Sequence, residues 1–298
     1  MKIAYLVLAH NNPELLQKLT GSLSSQGSPV FIHIDRKSRI EDFSIVDGPN
    51  IFFSTERHEV YWGEYGMVEA TLTLIRMALE WPGHCDYLVL LSGADYPLRS
   101  QHYIQSQLEQ QRGCEFISMV TIPCASLGQF LSRVNTVRYP SNRPLLHFAS
   151  KVLAKCGLAR RDYRKSLPGL QAYSGSAWWA LTREACEYTL EFLQANPHVR
   201  DFFRDAPAPD EMIFHTILGN SHFAPLLRRN FHFTEWSGGG PHPATLSDKH
   251  VSMFESQSRI MINDGYGRGE ALFARKFSED RLDLLDRINV LMERADAD

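Results

Sequence analysis

The stretch 205-DAPAPDEMIFHTI-217 sets two carboxylates, Asp210 and Glu211, side by side behind two prolines. Adjacent acids serve two chemistries. In the first turn of a helix they complement the positive end of the backbone dipole, and Pro209 suits the first helical position. In a cleft, such a carboxylate can instead be catalytic. The residues alone leave both open. A second pair, Arg275 and Lys276, lies in 271-ALFARKF-277 between Phe273 and Phe277. Adjacent cations can make an ordinary surface turn, yet the flanking aromatics point to a partly buried position, where unpaired charge is costly. A bound anion such as a diphosphate would remove that cost. His10, Asp35 and Asp95 each stand just past an apolar run.

Other chemistries fail on their motifs. The turn after the first apolar run reads AHNNPE, without the glycines of a dinucleotide site. Neither a GxxxxGK[ST] phosphate loop nor a GxSxG nucleophile elbow occurs. His215 and His222 are seven apart with no third ligand, and the DAD at 296–298 is a terminal tail, so no metal site is expected. The cysteines at 85, 114, 124, 156 and 186 have no zinc spacing and read as reduced packing residues.

Alternating apolar runs must position these groups. KIAYLVLAH (2–10), VFIHID (30–35) and IFFS (51–54) read as strands. NNPELLQKLTGSL reads as a helix with Leu15, Leu16, Leu19 and Leu23 on one face, and Val68, Leu72, Ile75 and Leu79 mark a second. YLVLLSGADYPL (87–98) is a further buried strand ending in a turn. This rhythm predicts an α/β fold, a mostly parallel central sheet flanked by helices. Ligands of such sheets lie beyond the carboxyl ends of the strands, so His10, Asp35 and Asp95 should reach one rim. Further along, FISMV and AWWALT read as strands, and REACEYTLEFLQ and PDEMIFHTIL as helices. EWSGGGPHP is a glycine-rich loop, and 279–295 an amphipathic helix through Leu282, Leu285, Ile288 and Met292. No repeat or flexible linker divides the chain, so one domain over 1–298 is expected.

The 298 residues are 44% hydrophobic and 22% charged, with a formal net charge of −3, the profile of a globular protein. No apolar run approaches the roughly 18 to 20 residues of a membrane span, and the amino terminus lacks a signal-peptide pattern, so a cytoplasmic location is expected. From Arg133 to Lys165 nine Lys or Arg residues face a single acid, Asp162. Such a stretch can hold an anionic acceptor or a phospholipid surface, or form a solvated loop. The slightly acidic whole and the lack of a binding motif exclude a nucleic-acid partner.

Six segments carry a family resemblance: IHIDRKS (32–38), VYWGEYGMVEA (60–70), LVLLSGADYPLRS (88–100), YSGSAWWALTRE (173–184), APDEMIFHTI (208–217) and LFARKF (272–277). In that order, over nearly the whole chain, they closely resemble the core-2/I-branching β-1,6-N-acetylglucosaminyltransferase and peptide O-xylosyltransferase family. The resemblance implies a GT-A-like fold, with 1–120 as the nucleotide-sugar half. Residues 121–298 are then the acceptor-binding and catalytic half, closed by the terminal helix. It implies inverting transfer of a sugar from a UDP-sugar to a glycan hydroxyl, with no divalent metal or other cofactor. Glu211 is then the general base, Arg275 and Lys276 neutralise the donor diphosphate, and Asp210 ends a helix. Asp35 with Arg36 or Lys37 falls where the family contacts uridine, with His10 and Asp95 on the same rim. Trp62, Trp178 and Trp236 offer flat faces to an acceptor; Trp236 stands out beside its Ser-Gly-Gly-Gly run, with Trp62 next. Gly175 would let the backbone approach the sugar closely.

Departures from the pattern limit what the resemblance implies. The animal members carry a membrane anchor and several disulfides, so this chain looks like a bacterial relative, with any inner-membrane contact peripheral and through 133–165. Ala177 stands where xylosyltransferases have an acid, and a further basic residue of the branching enzymes has no clear match among Pro241, His242 and Lys249. N-Acetylglucosamine is the first expectation for the donor sugar and xylose the second, with a surface glycan such as lipopolysaccharide or capsule as acceptor. The alternative is a catalytically inactive UDP- or glycan-binding protein on the same fold. A metal-dependent nucleotidyltransferase ranks third, since it needs an acidic pair that SGADYPL does not offer.

Overall fold

The computed structural model describes residues 1–138, 141, 148, 152, 160–236 and 242–295. Cys156, Pro241, the glycine run before it, the 296–298 tail and most of the basic stretch lie outside the described residues. The early apolar runs form β1 (Ile3–Ala9), β2 (Val30–Ile34), β3 (Ile51–Phe53) and β4 (Tyr87–Ser92). After β5 (Asp95–Pro97) come β6 (Glu115–Thr121), β7 (Tyr173–Thr182), β8 (Leu227–Arg228) and β9 (His232–Thr234). A hairpin of β10 (Met261–Asp264) and β11 (Gly267–Glu270) precedes β12 (Phe273–Arg275).

Seven strands make one sheet in the order β3-β2-β1-β4-β7-β6-β8. The first four run parallel, β7 is antiparallel to both β4 and β6, and β6 is parallel to β8. The parallel set ends together, with Ala9 opposite Ile34 and Leu8 opposite Ser92. That shared edge is where a doubly covered sheet presents its ligand side.

Both faces are covered, which is why β1 and β2 read as continuous apolar runs rather than alternating ones. The helix Pro13–Ser24 packs Leu15, Leu16, Leu19 and Leu23 against Ile3, Tyr5, Val7, Val30 and Ile32. The helix Gly66–Glu80 packs Val68, Leu72 and Ile75 against Ala4, Leu6, Leu88 and Leu90 on the opposite side, with Leu79 partly buried. Each core also draws on the far end of the chain. Phe273 joins the first with Leu285, Ile288 and Met292 of the helix Asp283–Ala295, and Trp179 and Phe214 join the second. Cys85 and Cys186 are buried, and no disulfide joins the described cysteines. Among the described residues no helix is long and apolar enough to cross a membrane.

Two expectations change. YLVLLSGADYPL is two strands, because after Ser92 the chain turns at Gly93-Ala94 and β5 enters a separate three-stranded sheet, β5-β12-β9. PDEMIFHTIL is not one helix either. Pro209–Glu211 forms a single 3₁₀ turn, Met212 leaves helical geometry with its side chain fully buried, and the helix Ile213–Gly219 starts after it. The break follows from Met212 turning into the core instead of continuing the spiral.

Candidate active site

At the rim of β1 and β2, Asp35 follows the last residue of its strand and donates its N–H to Ala9 O at 2.8 Å. Asp35 is 5% exposed, and its carboxylate accepts from both the N–H (2.9 Å) and the Nζ (2.7 Å) of Lys37. Lys37 also lies over the Tyr61 ring, 4.3 Å from its centroid. Arg57, which sequence reasoning passed over, brackets this loop from Nε to Ile34 O (2.9 Å) and from Nη2 to Asp35 O (2.8 Å). Arg36 turns outward to Glu59, 2.9 Å away. Crowding around the His10 ring lowers its pKa, the Lys276 ammonium lowers it further, and Asp35 and Lys37 pull in opposite senses. Residues 10, 35, 37 and 276 therefore share one electrostatic neighbourhood.

Asp95 stands just past the end of β4 but, unlike Asp35, is closed off from solvent. It is fully buried, because β5 pairs antiparallel with β12 and sets Arg275 directly opposite it. One oxygen, Oδ2, accepts the Ser92 N–H at 2.8 Å and lies 3.4 Å from His232 Nε2; the other, Oδ1, lies 3.1 Å from Arg275 Nε. The Arg275–Asp95 contact is ionic only, since neither atom makes an aligned hydrogen bond. The Trp178 ring covers the guanidinium at 4.3 Å from Cζ. Burial pushes the Arg275 pKa down and Asp95 opposes it. In the sequence Trp178 is one of three flat faces on offer to an acceptor; that it covers a cation instead depends on a contact across 97 positions, which no local pattern announces.

Glu211 sits on the 3₁₀ turn, introduced by Ala208 in the left-handed region (φ 49°), a strained conformation for a residue with a Cβ. The Ala208 N–H donates to Gly63 O at 3.0 Å, tying the turn to the loop that carries Trp62. Arg133 Nη2 donates to Glu211 Oε2 at 2.5 Å, and Oε1 has no protein donor among the described residues. Burial first and then the Glu211 carboxylate raise the pKa of Tyr266, at the tip of the β10–β11 hairpin, and the Arg133 guanidinium opposes them. Arg133 and Tyr266 were both missed as site residues. The one signal was Arg133 opening the basic stretch. His215 belongs to the scaffold: it is fully buried, Nε2 lies 2.9 Å from Ser176 O, and burial pushes its pKa down to about 3.

Asp210 behaves differently from its neighbour. Its Oδ1 is buried without a hydrogen-bond partner, and burial followed by the Glu211 charge raises its pKa from the ordinary 3.8 to about 7. The folded state therefore holds this proton more tightly than the unfolded chain, a contribution fully present below about pH 4 and lost as pH rises through 7. Asp210→Asn should raise the melting midpoint at pH 8 and change it least near pH 4. An equal effect at both pH values, followed by calorimetry, would show that charge burial is not the cause.

The aromatic candidates divide. Trp62 and Trp236 are exposed, at 63% and 57%. Trp62 meets the His242 ring edge-on at 5.4 Å and has the Arg138 guanidinium 6.0 Å from its ring, so chain beyond the glycine run approaches the 58–63 loop. Lys249 is exposed in the helix Asp248–Glu255. Gly175 is required by packing within the sheet. A Cβ there would stand 1.7 Å from Ser118 O across the irregular β6–β7 pairing, so the neighbouring strand already fills the space. Arg275 packs on Trp178 of β7, and the Glu211 turn contacts the same strand, so β7 links the cation side to the carboxylate side.

An α/β sheet with charged loops gathered past its parallel strand ends defines the class of protein. Residues 3–258 match the family described as Core-2/I-Branching enzyme, and the chain belongs to that family. Human xylosyltransferase 2 (Homo sapiens) is 26% identical over 248 residues, covering 80% of this chain and 27% of the relative. Xylosyltransferase 1 of Canis lupus familiaris is 24% identical over 250 residues, with 80% and 24% covered. The chain thus spans about a quarter of the length of these relatives. A solved structure of mouse xyloside xylosyltransferase 1 in its apo form overlaps 91% of this chain and 97% of its own, at 11% identity and a TM-score of 0.39.

Proposed function

We propose that the protein is an inverting glycosyltransferase that moves a sugar from a UDP-sugar to a glycan hydroxyl without a divalent metal. The observation that carries this reading is the Arg275–Lys276 pair at the ligand edge of the sheet. Arg275 is fixed from the side by Asp95, while Lys276 has no acidic partner among the described residues and acts on His10 at the rim. A diphosphate placed there meets a guanidinium and an ammonium where charge develops as UDP departs. Asp95, the acid of the SGADYP turn, is already engaged with Arg275, Ser92 and His232, which supports cation side chains rather than an acid-held metal at the diphosphate.

Glu211 takes the acceptor proton. As the acceptor oxygen bonds to the anomeric carbon, the carbon–oxygen bond to UDP breaks, its electron pair leaves with the β-phosphate, and the hydroxyl proton passes to Oε1. One displacement inverts the anomeric centre. Asp35, Lys37 and His10 line the nucleotide end, and Trp62 and Trp236 offer faces to the acceptor, with N-acetylglucosamine ahead of xylose as donor sugar. Incubating the protein in EDTA with UDP-N-acetylglucosamine or UDP-xylose and oligosaccharide acceptors tests the reading by mass spectrometry. A product heavier by one sugar, with UDP released, is expected. UDP binding without turnover for any donor would favour a binding protein on this fold.

A further inference from the structure

Arg275 could have been held in many ways, and the way it is held constrains what it can bind. Its Nε faces Asp95 at 3.1 Å, one face of the guanidinium lies under Trp178 at 4.3 Å, and Arg275 pairs in register with Asp95 on one side and Thr234 on the other. Neither Nη nitrogen has an acceptor among the described residues. The open edge is thus the two-nitrogen fork, whose spacing suits two oxygens of one phosphate.

We infer that Asp95 is a positioning residue: its buried carboxylate, anchored by the Ser92 N–H and backed by His232, aims the Arg275 fork at the donor diphosphate. The inference rests on the reading of Arg275 as a diphosphate ligand. Asp95 itself touches no substrate. It is held from three sides, by Ser92 at 2.8 Å, His232 at 3.4 Å and Arg275 at 3.1 Å, and it is fully buried, so it cannot follow a mobile side chain. His232 stacks on Phe273 at 5.6 Å between ring centroids, which fixes the back wall. One carboxylate against one guanidinium also balances the buried charge before any donor arrives. That leaves Arg275 to supply direction and Lys276 to supply net positive charge, a division of labour that sequence adjacency alone does not reveal.

A double-mutant cycle on UDP affinity tests this, with calorimetric titration of wild type, Asp95→Asn, Arg275→Lys and the double variant. Each single change is expected to weaken UDP about tenfold, with the double no weaker than Arg275→Lys alone, because Asp95 acts only through the fork. Losses that multiply, or an Asp95→Asn variant that melts earlier yet binds UDP normally, would overturn the inference and leave Asp95 a structural residue. Unchanged affinity in Arg275→Lys would instead overturn the diphosphate reading itself. Should Asp95→Asn fail to fold, Trp178→Leu, which bares the guanidinium face, replaces it: a loss that vanishes in the Arg275→Lys background supports the clamp, and a loss that persists there contradicts it.

Discussion

Glu211→Gln should abolish sugar transfer while leaving UDP affinity intact. A positioned general base contributes ~10² to 10⁴ in rate, and the amide keeps the shape of the side chain without its basicity. Arg133 complicates the expectation in a useful way. Its Nη2 already occupies Oε2, so the substitution weakens a partly exposed ion pair as well as removing the base. Such pairs contribute up to about 1 kcal/mol, which lowers the melting midpoint by only about 2 °C in a chain of this size. A turnover loss of two orders or more beside so small a thermal change separates catalysis from folding. Retained turnover would remove Glu211 from the base role and direct attention to Asp210, one residue away.

The second large effect concerns the cations, and it splits between them. Removing one stabiliser of developing charge costs about 10² to 10³ in rate, so both Arg275→Ala and Lys276→Ala should be nearly inactive. Their stabilities should differ. Arg275→Ala leaves Asp95 buried without its counter-charge, a change worth about 3 to 5 kcal/mol of destabilisation. Lys276 has no acidic partner among the described residues, so Lys276→Ala should melt close to wild type. UDP affinity in Lys276→Ala should also depend less on salt than in wild type, because the lost group supplies net charge at the site. Melting curves and UDP titrations at two ionic strengths check both points. Equal thermal losses for the two variants would mean that the Asp95–Arg275 pair carries little of the local stability.

Much of the scaffold was legible because it is local. β1, β2 and the helix Pro13–Ser24 follow from runs such as IAYLVLA and from leucines at helical spacing, and the rim positions of His10 and Asp35 follow from where those runs stop. What escaped depends on distant pairing. β5, β9 and β12 are three residues each, too short for any periodicity, and they become a sheet only when parts of the chain about 180 residues apart meet; that meeting is what draws Asp95 inward. Arg133 reaches Glu211 across 78 positions, and nothing in either local sequence announces it. Prolines and acids at Pro209–Glu211 favour the start of a helix. The core claim of Met212 and the left-handed Ala208 override that preference. Gly175 shows the converse case, a glycine offered to a ligand that a neighbouring strand also demands, which only the fold reveals.

The most direct test of the account is a calorimetric titration of UDP into the protein in EDTA, repeated with excess manganese. Binding of equal affinity in both, weakened by Arg275→Lys and by Lys276→Ala, is the expected result and makes the two side chains the diphosphate's counter-charge. Binding that requires manganese, or that survives loss of both cations, would contradict it.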